Sequence, residues 1–338
     1  MKWVIASFIM IILLFGCTDN GGTPTDNQTK NETPVDENDS QVEIIIGEQT
    51  NQTVTGNATI EEPEQNETPT KELEYYYDEN ESFAVYFIAV GSENNGNAIF
   101  VKKGDLDILI DGGPAEDAGQ VVDLLKDKEV DDLEVVISTN ADPKQYGGLE
   151  TVADNFQIEQ FWWGGNTFFD EDYEALLERM ENSTKQVKVI GDGDEFDLNG
   201  MNFTFLNPPE EKFNDINNDA IVTMIKDRNL SLLLTSSILK GAQLNLANVY
   251  SSNLHVDIMQ APFYGVGEGT RDIALFLVDV DPERVIITGS SEDTPENGGS
   301  REPFKSLMES KGIAWNETYV EGTIKIFCNM EDCIMGIN

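Results

Sequence analysis

The sequence predicts an α/β sandwich, with two mixed sheets packed face to face and helices outside. Three observations predict it. Short runs of β-branched and aromatic residues come in pairs split by tight turns, as at residues 83–91 and 97–102, which is the pattern of hairpins. Later runs are separated by amphipathic stretches of roughly ten residues, as in βα units. No linker-like stretch divides residues 83–338, so both patterns belong to one folded body built of packed layers. With 338 residues, the chain is long enough to bury a sizeable core.

Residues 83–91 read as a strand closed by Gly91, and 97–102 as its hairpin partner. A third strand, 107–113, stops at Gly112 and Gly113. In 118–128, Val121, Val122, Leu124 and Leu125 recur at helical spacing. Residues 133–138 form the next strand, 148–155 a helix and 158–163 (IEQFWW) a strand. A helix over 170–182 opens on Asp170, a capping residue type, with acids in its first turn. Strands follow at 187–190, 197–206, 220–226 and 231–235. A helical stretch at 239–250 precedes a strand at 256–261. Strands at 274–278 and 284–288, a helix at 301–311 and strands at 314–319 and 323–328 complete the series.

Three segments are expected: a signal at 1–17, a stalk at 18–74 and the domain at 75–338. Lys2, the apolar run 4–15 and the pair Gly16 and Cys17 have the basic start, apolar centre and small-residue end of an export signal. The apolar run is too short to span a bilayer comfortably. LFGC at 14–17 resembles a lipoprotein box, which would make Cys17 a lipidated N-terminus; a plain signal or an uncleaved anchor are the alternatives. The chain is therefore read as exported, at the cell surface, with a membrane as its partner through the lipid. Residues 18–74 are Thr, Asn, Glu, Gln, Pro and Gly with one apolar run, 42–46, a composition that predicts a disordered stalk. Its sequons at Asn27, Asn31, Asn38, Asn51, Asn57 and Asn66 fit a glycosylated spacer or simply abundant Asn and Thr.

The chain carries 63 acidic against 21 basic residues, a formal charge of -42. Nucleic-acid binding draws its affinity from Lys and Arg neutralising phosphates, so no nucleic-acid partner is expected. Saline adaptation, weak calcium binding and solubility all fit this surface. Cys328 and Cys333, five apart in an exported chain, read as a short-loop disulfide in preference to free thiols.

Residues 135–149, VVISTNADPKQYGGL, run from an apolar strand through a polar loop into a Gly-Gly turn. The stretch resembles the metal-binding loop of metallo-β-lactamase-fold hydrolases, in which a strand ends in Thr-His-x-Asp-x-Asp-His before Gly-Gly. Asn140 stands at the first His, Asp142 at the first Asp, Lys144 at the second Asp and Gln145 at the second His. Further motifs keep the order of the extracytoplasmic hydrolase domain of ComEC-type competence proteins. They are AVG at 89–91 with GNA at 96–98, LIDGGP at 109–114, GDGDEFDLNG at 191–200, FLNPP at 205–209, NDAIV at 218–222, LLLTSS at 232–237 and APFYG at 261–265. The resemblance covers about residues 83–328 and implies a metallo-β-lactamase-like αββα sandwich. It puts Asn207 at a His, Ser237 at a bridging Asp, and Phe263 and Tyr264 at a His pair.

For chemistry the comparison is negative. A dinuclear zinc centre needs several imidazoles with carboxylates to make hydroxide from bound water, and this chain has one histidine, His255, which matches no ligand position. Zinc is not expected. Asp111 and Asp142 are two carboxylates that would suit Ca²⁺ or Mg²⁺, although a turn-binding role for Asp111 and a capping role for Asp142 are preferred. No Gly-x-Ser-x-Gly elbow occurs, and GVGEGT at 265–270 lacks the Lys of a phosphate loop. Aromatics at Phe161, Trp162, Trp163, Phe168, Phe169, Phe263 and Tyr264 suit core or rim packing more than stacking on a ligand. The expectation is a surface-tethered lipoprotein whose catalytically degenerate domain binds or scaffolds an unspecified protein or small molecule. A hydrolase on a carboxylate-held cation is the second reading, and a purely structural envelope component the third.

Overall fold

The computed structural model describes residues 82–91, 93, 95–166, 170–228, 230–267, 273–290, 299–329 and 333–337. The segment 1–17 with Cys17, the stretch 18–74, Phe168, Phe169 and residues 268–270 of the Gly-rich loop lie outside the described residues.

An antiparallel meander comes first: β1 (Phe83–Phe87), β2 (Ile99–Lys103) and β3 (Leu106–Ile110). Then α1 (Ala118–Asp127), β4 (Asp132–Ser138), α2 (Pro143–Tyr146), α3 (Leu149–Asn155), β5 (Gln157–Trp163), α4 (Glu171–Ser183) and β6 (Gln186–Val189) add parallel strands through helical crossovers. The second sheet starts as an antiparallel set, β7 (Glu195–Leu198), β8 (Met201–Asn207), β9 (Val222–Asp227) and β10 (Leu230–Leu234). Parallel strands extend it through α5 (Lys240–Tyr250), β11 (Ile258–Gln260), α6 (Ala274–Val280), β12 (Arg284–Ile287), α7 (Glu302–Lys311) and β13 (Ala314–Glu317). Finally α8 (Thr318–Glu321) leads to β14 (Ile324–Cys328), which returns to pair with β1, and to β15 (Cys333–Ile337). The sheet orders are β15-β14-β1-β2-β3-β4-β5-β6 and β13-β12-β11-β10-β9-β8-β7.

Period-two alternation assigns the strand residues to layers. Val85, Ile108, Val135 and Ile137 meet Phe203, Ile225 and Leu232 between the sheets. Tyr86, Leu109 and Val136 face outward onto Val121, Leu149 and Leu176 of the first helical layer. Leu233 and Met259 face Leu246, Phe276 and Phe304 of the second. The strands are thus apolar on both faces, as in sheets covered by helices, and the result is an αββα sandwich. Each fully buried Leu, Ile or Phe contributes about 1.5–3 kcal/mol. At one end of this core Lys103 Nζ lies 2.8 Å from Asp227 Oδ1, an ion pair with both side chains buried, joining β2 of one sheet to β9 of the other.

Several sequence expectations need correction. Residues 274–278 are helical, in α6, not a strand. The run is apolar nearly throughout, so periodicity does not separate the two states; β11 and β12 are parallel neighbours, and that connection requires a crossover. The strand expected at 197–206 is the hairpin β7–β8, turning at Asn199 and Gly200, both with positive φ. The strand expected at 314–319 ends at Glu317, where α8 begins. Cys328 and Cys333 face each other in the β14–β15 register and form a disulfide.

Candidate functional site

The loops singled out by sequence all leave the carboxyl ends of strands: Asp111 after β3, residues 139–145 after β4, Ser236 and Ser237 after β10, and residues 261–264 after β11. Parallel strands with crossovers send such loops to one edge, where ligands of open α/β sheets bind. Here both sheets deliver loops to the same edge.

Two glycine pairs bring the first sheet's loops together. Gly148 N donates to Gly113 O at 2.8 Å and Gly112 N to Gln145 O at 2.7 Å. A Cβ on Gly148 would lie 2.1 Å from Gly112 O, and one on Gly112 2.7 Å from Leu149 N. Only glycine allows this backbone approach.

Within that frame Asp111, fully buried with φ 60°, accepts from Thr139 N (2.8 Å), Thr139 Oγ1 (2.7 Å) and Asn97 Nδ2 (2.8 Å). Burial pushes its carboxyl up to about 7, against the pull of the Thr139 and Asn97 hydrogen bonds, and the charge of Asp142 adds to the rise. Thr139 Oγ1 also lies 2.7 Å from Ser236 Oγ. Its single proton goes to Asp111, so Ser236 donates.

Asn140 Nδ2 donates to Ser237 Oγ at 2.7 Å, and Asn140 Oδ1 accepts from Asp142 N at 3.0 Å. Asp142 caps α2, its Oδ1 accepting from Lys144 N at 2.9 Å. Gln145 Nε2 donates to Tyr264 Oη at 2.8 Å, while Gln145 Oε1 has no partner. Burial holds the Tyr264 phenol well above its ordinary value, with Asp142 and Asp111 adding to the effect. Phe263 and Tyr264 have φ of 47° and 59°, strained for aromatic residues, and their carbonyl region is held by Arg301, whose Nε donates to Tyr264 O at 2.9 Å. The rings of Phe263 and Tyr264 lie 5.7 Å apart.

Asn140, Asp142, Gln145, Ser237, Phe263 and Tyr264 are therefore brought to one place. Lys144 is tied in by its backbone, its carbonyl accepting from Asn97 N at 3.2 Å, and its side chain lines a surface hollow of about 620 Å³ with Glu116, Tyr146, Glu150 and Asp172. Asn207 holds its own loop, donating to Asn218 O and Ala220 O. His255 is 62 % exposed beside Asp281 and precedes β11, at the end of that strand away from the cluster. Phe161 and Trp162 belong to the cores, Trp162 against Phe196 and Phe205. Trp163 is half-buried with its ring centroid 6.3 Å from that of Tyr173.

Sequence reasoning missed Asn97, Ser236, Gln260 and Arg301. Gln260 Oε1 accepts from Thr235 N and Ser236 N, and its Nε2 donates to Asn97 Oδ1 at 2.7 Å. A polar residue ending the apolar run IMQ was its only signal. Arg301, just before α7, also donates to Asn95 Oδ1.

A zinc ion is what the resemblance in the sequence implies here, and the residues present do not fit it. Zinc takes thiolate, imidazole or carboxylate. Beside the carboxylates of Asp111 and Asp142, the groups gathered here are amides, hydroxyls and a phenol hydrogen-bonded in pairs; Asp142 caps α2 and both Asp111 oxygens already accept hydrogen bonds. Among the described residues no three His, Cys, Asp or Glu side chains are placed to hold a metal.

Two facing mixed sheets under outer helices make this an αββα sandwich, the fold that the order of motifs leads one to expect. No family model matches the chain. Among curated proteins it is similar to ComE operon protein 3 of Bacillus subtilis (strain 168), 19% identical over 205 residues, 61% of this chain and 26% of that protein. The chain thus spans about a quarter of the length of the curated relative it matches. Among solved structures it is similar to the metallo-β-lactamase fold protein YhfI from Bacillus subtilis, at 12% identity and TM-score 0.47, covering 75% of this chain and 100% of that one. It is also similar to Igni18, a novel metallo hydrolase from the archaeon Ignicoccus hospitalis, at 16% identity and TM-score 0.44, covering 72% and 98%.

Proposed function

We propose that this domain is a catalytically degenerate member of the metallo-β-lactamase-like hydrolase fold, retained as a binding or scaffolding module. The observation that carries this reading is the filled cleft. Asn140, Gln145, Ser237 and Tyr264 hydrogen-bond to one another in two pairs, Asn140–Ser237 and Gln145–Tyr264, and all are buried. Amides paired in this way offer neither a metal ligand set nor a general base. Thr139, Ser236 and Ser237 are buried as well, so none of these three hydroxyls is presented to a substrate as a nucleophile. Metal analysis of the purified protein, with assays on nucleotide, phosphodiester and lactam substrates, tests this. Substoichiometric metal and no turnover are expected; stoichiometric zinc with hydrolysis overturns it.

A hydrolase on a carboxylate-held Ca²⁺ or Mg²⁺ is the second reading. In its favour, Asp142 lies close enough to Asp111 for its charge to raise the Asp111 carboxyl. Magnesium- or calcium-dependent turnover lost in Asp142→Asn would support it.

The module is proposed to stand at the cell surface, tethered by lipid on Cys17 through residues 18–74, as the box at 14–17 suggests. Incorporation of labelled palmitate that disappears in Cys17→Ser supports the tether; label retained in that variant removes it.

A further inference from the structure

We infer that the polar cluster at the carboxyl edge is a metal-independent clamp fastening the two sheets to each other. Four buried side-chain hydrogen bonds cross from the first sheet's loops and strands to the second's: Thr139–Ser236 at 2.7 Å, Asn140–Ser237 at 2.7 Å, Gln145–Tyr264 at 2.8 Å and Asn97–Gln260 at 2.7 Å. A backbone bond runs beside them, Ile221 N donating to Thr139 O at 2.8 Å. Between the sheets the remaining contact is largely apolar, and apolar contact is non-directional. Directional bonds at the edge set how the sheets sit against one another. At the opposite end the Lys103–Asp227 ion pair does the same, so the core is fastened at both ends.

The clamp is complete without an ion. Five residues at ligand positions of the resembled site have a protein partner from the other sheet or from their own cap: Asn140 with Ser237, Gln145 with Tyr264, and Asp142 with Lys144 N. The unpartnered Gln145 Oε1 does not alter this. Exchanging the amide's two ends would let Oε1 accept the Tyr264 proton and leave Nε2 idle instead, so the cross-link survives either orientation. The inference rests on the metal-free reading of the site: the chelator arm of its test probes that reading, and the double-mutant cycle probes the clamp itself.

The test is a double-mutant cycle on the full chain with Gln145→Met and Tyr264→Phe, followed by urea unfolding with and without a chelator. Each single variant leaves one buried polar group unpaired, whereas the double leaves none. The expected result is a lower midpoint for each single variant, a double variant no less stable than the worse single, and no effect of chelator on any of them. Additive losses, or a wild-type midpoint that falls with chelator, overturn the clamp. Should Gln145→Met fail to fold, Ser237→Ala with Asn140→Ala gives a second cycle, judged by the same non-additivity.

Discussion

Replacing Asp111 by Asn should flatten the pH dependence of stability. In the folded chain burial raises this carboxyl from its ordinary value of 3.8 to about 7. An acid whose folded pKa is raised favours the folded state when protonated. Its contribution is therefore full below pH ~4 and is lost as pH climbs through about 7. A rise of roughly three pKa units corresponds to ~4 kcal/mol, an order-of-magnitude figure. Glu134, raised to about 8, and Asp107, raised to about 6, are buried carboxyls shifted mainly by desolvation in the same direction, and they remain in the variant. The wild type should therefore lose stability between pH 5 and pH 8, and Asp111→Asn should lose about 2–4 kcal/mol less over that range. Urea unfolding at fixed, high ionic strength measures this while screening the general repulsion of a chain of charge -42. Equal slopes for wild type and variant would refute the burial argument.

Lys103→Met should cost about 3–5 kcal/mol, because Asp227 is left buried with the solvent-facing Arg228 beside it; adding Asp227→Leu should recover much of the loss in urea midpoints. Gly148→Ala should destabilise by about 3 kcal/mol or abolish folding, since its Cβ would lie 2.1 Å from Gly112 O, whereas Gly119→Ala, with nothing within 4 Å, should raise the melting temperature slightly.

The frame of the site was legible in the sequence. Gly112, Gly147 and Gly148 mark backbone that approaches backbone, and the apolar strands ending in polar loops show where the carboxyl edge lies. What the polar residues bond to was not legible. Gln260 and Asn97 are 163 positions apart and meet because β2 and β11 stand in facing sheets. Ser236 read only as one residue of the LLLTSS stretch just past an apolar strand, and only the fold shows it reaching Thr139. Arg301 lies just ahead of a helix, where charge is ordinary, yet it is buried against the Tyr264 carbonyl. The helix α6 was hidden for a different reason: ALFLVDV is apolar enough to be a buried strand, and its state is decided by the parallel pairing of β11 and β12.

The central claim, that the cleft is filled by its own side chains and holds no catalytic metal, is tested most directly by the metal content of the full chain purified without chelator and assayed for hydrolysis. Well under one zinc per chain and no turnover above background are predicted; one or two zinc ions per chain with phosphodiester, nucleotide or lactam hydrolysis would contradict it.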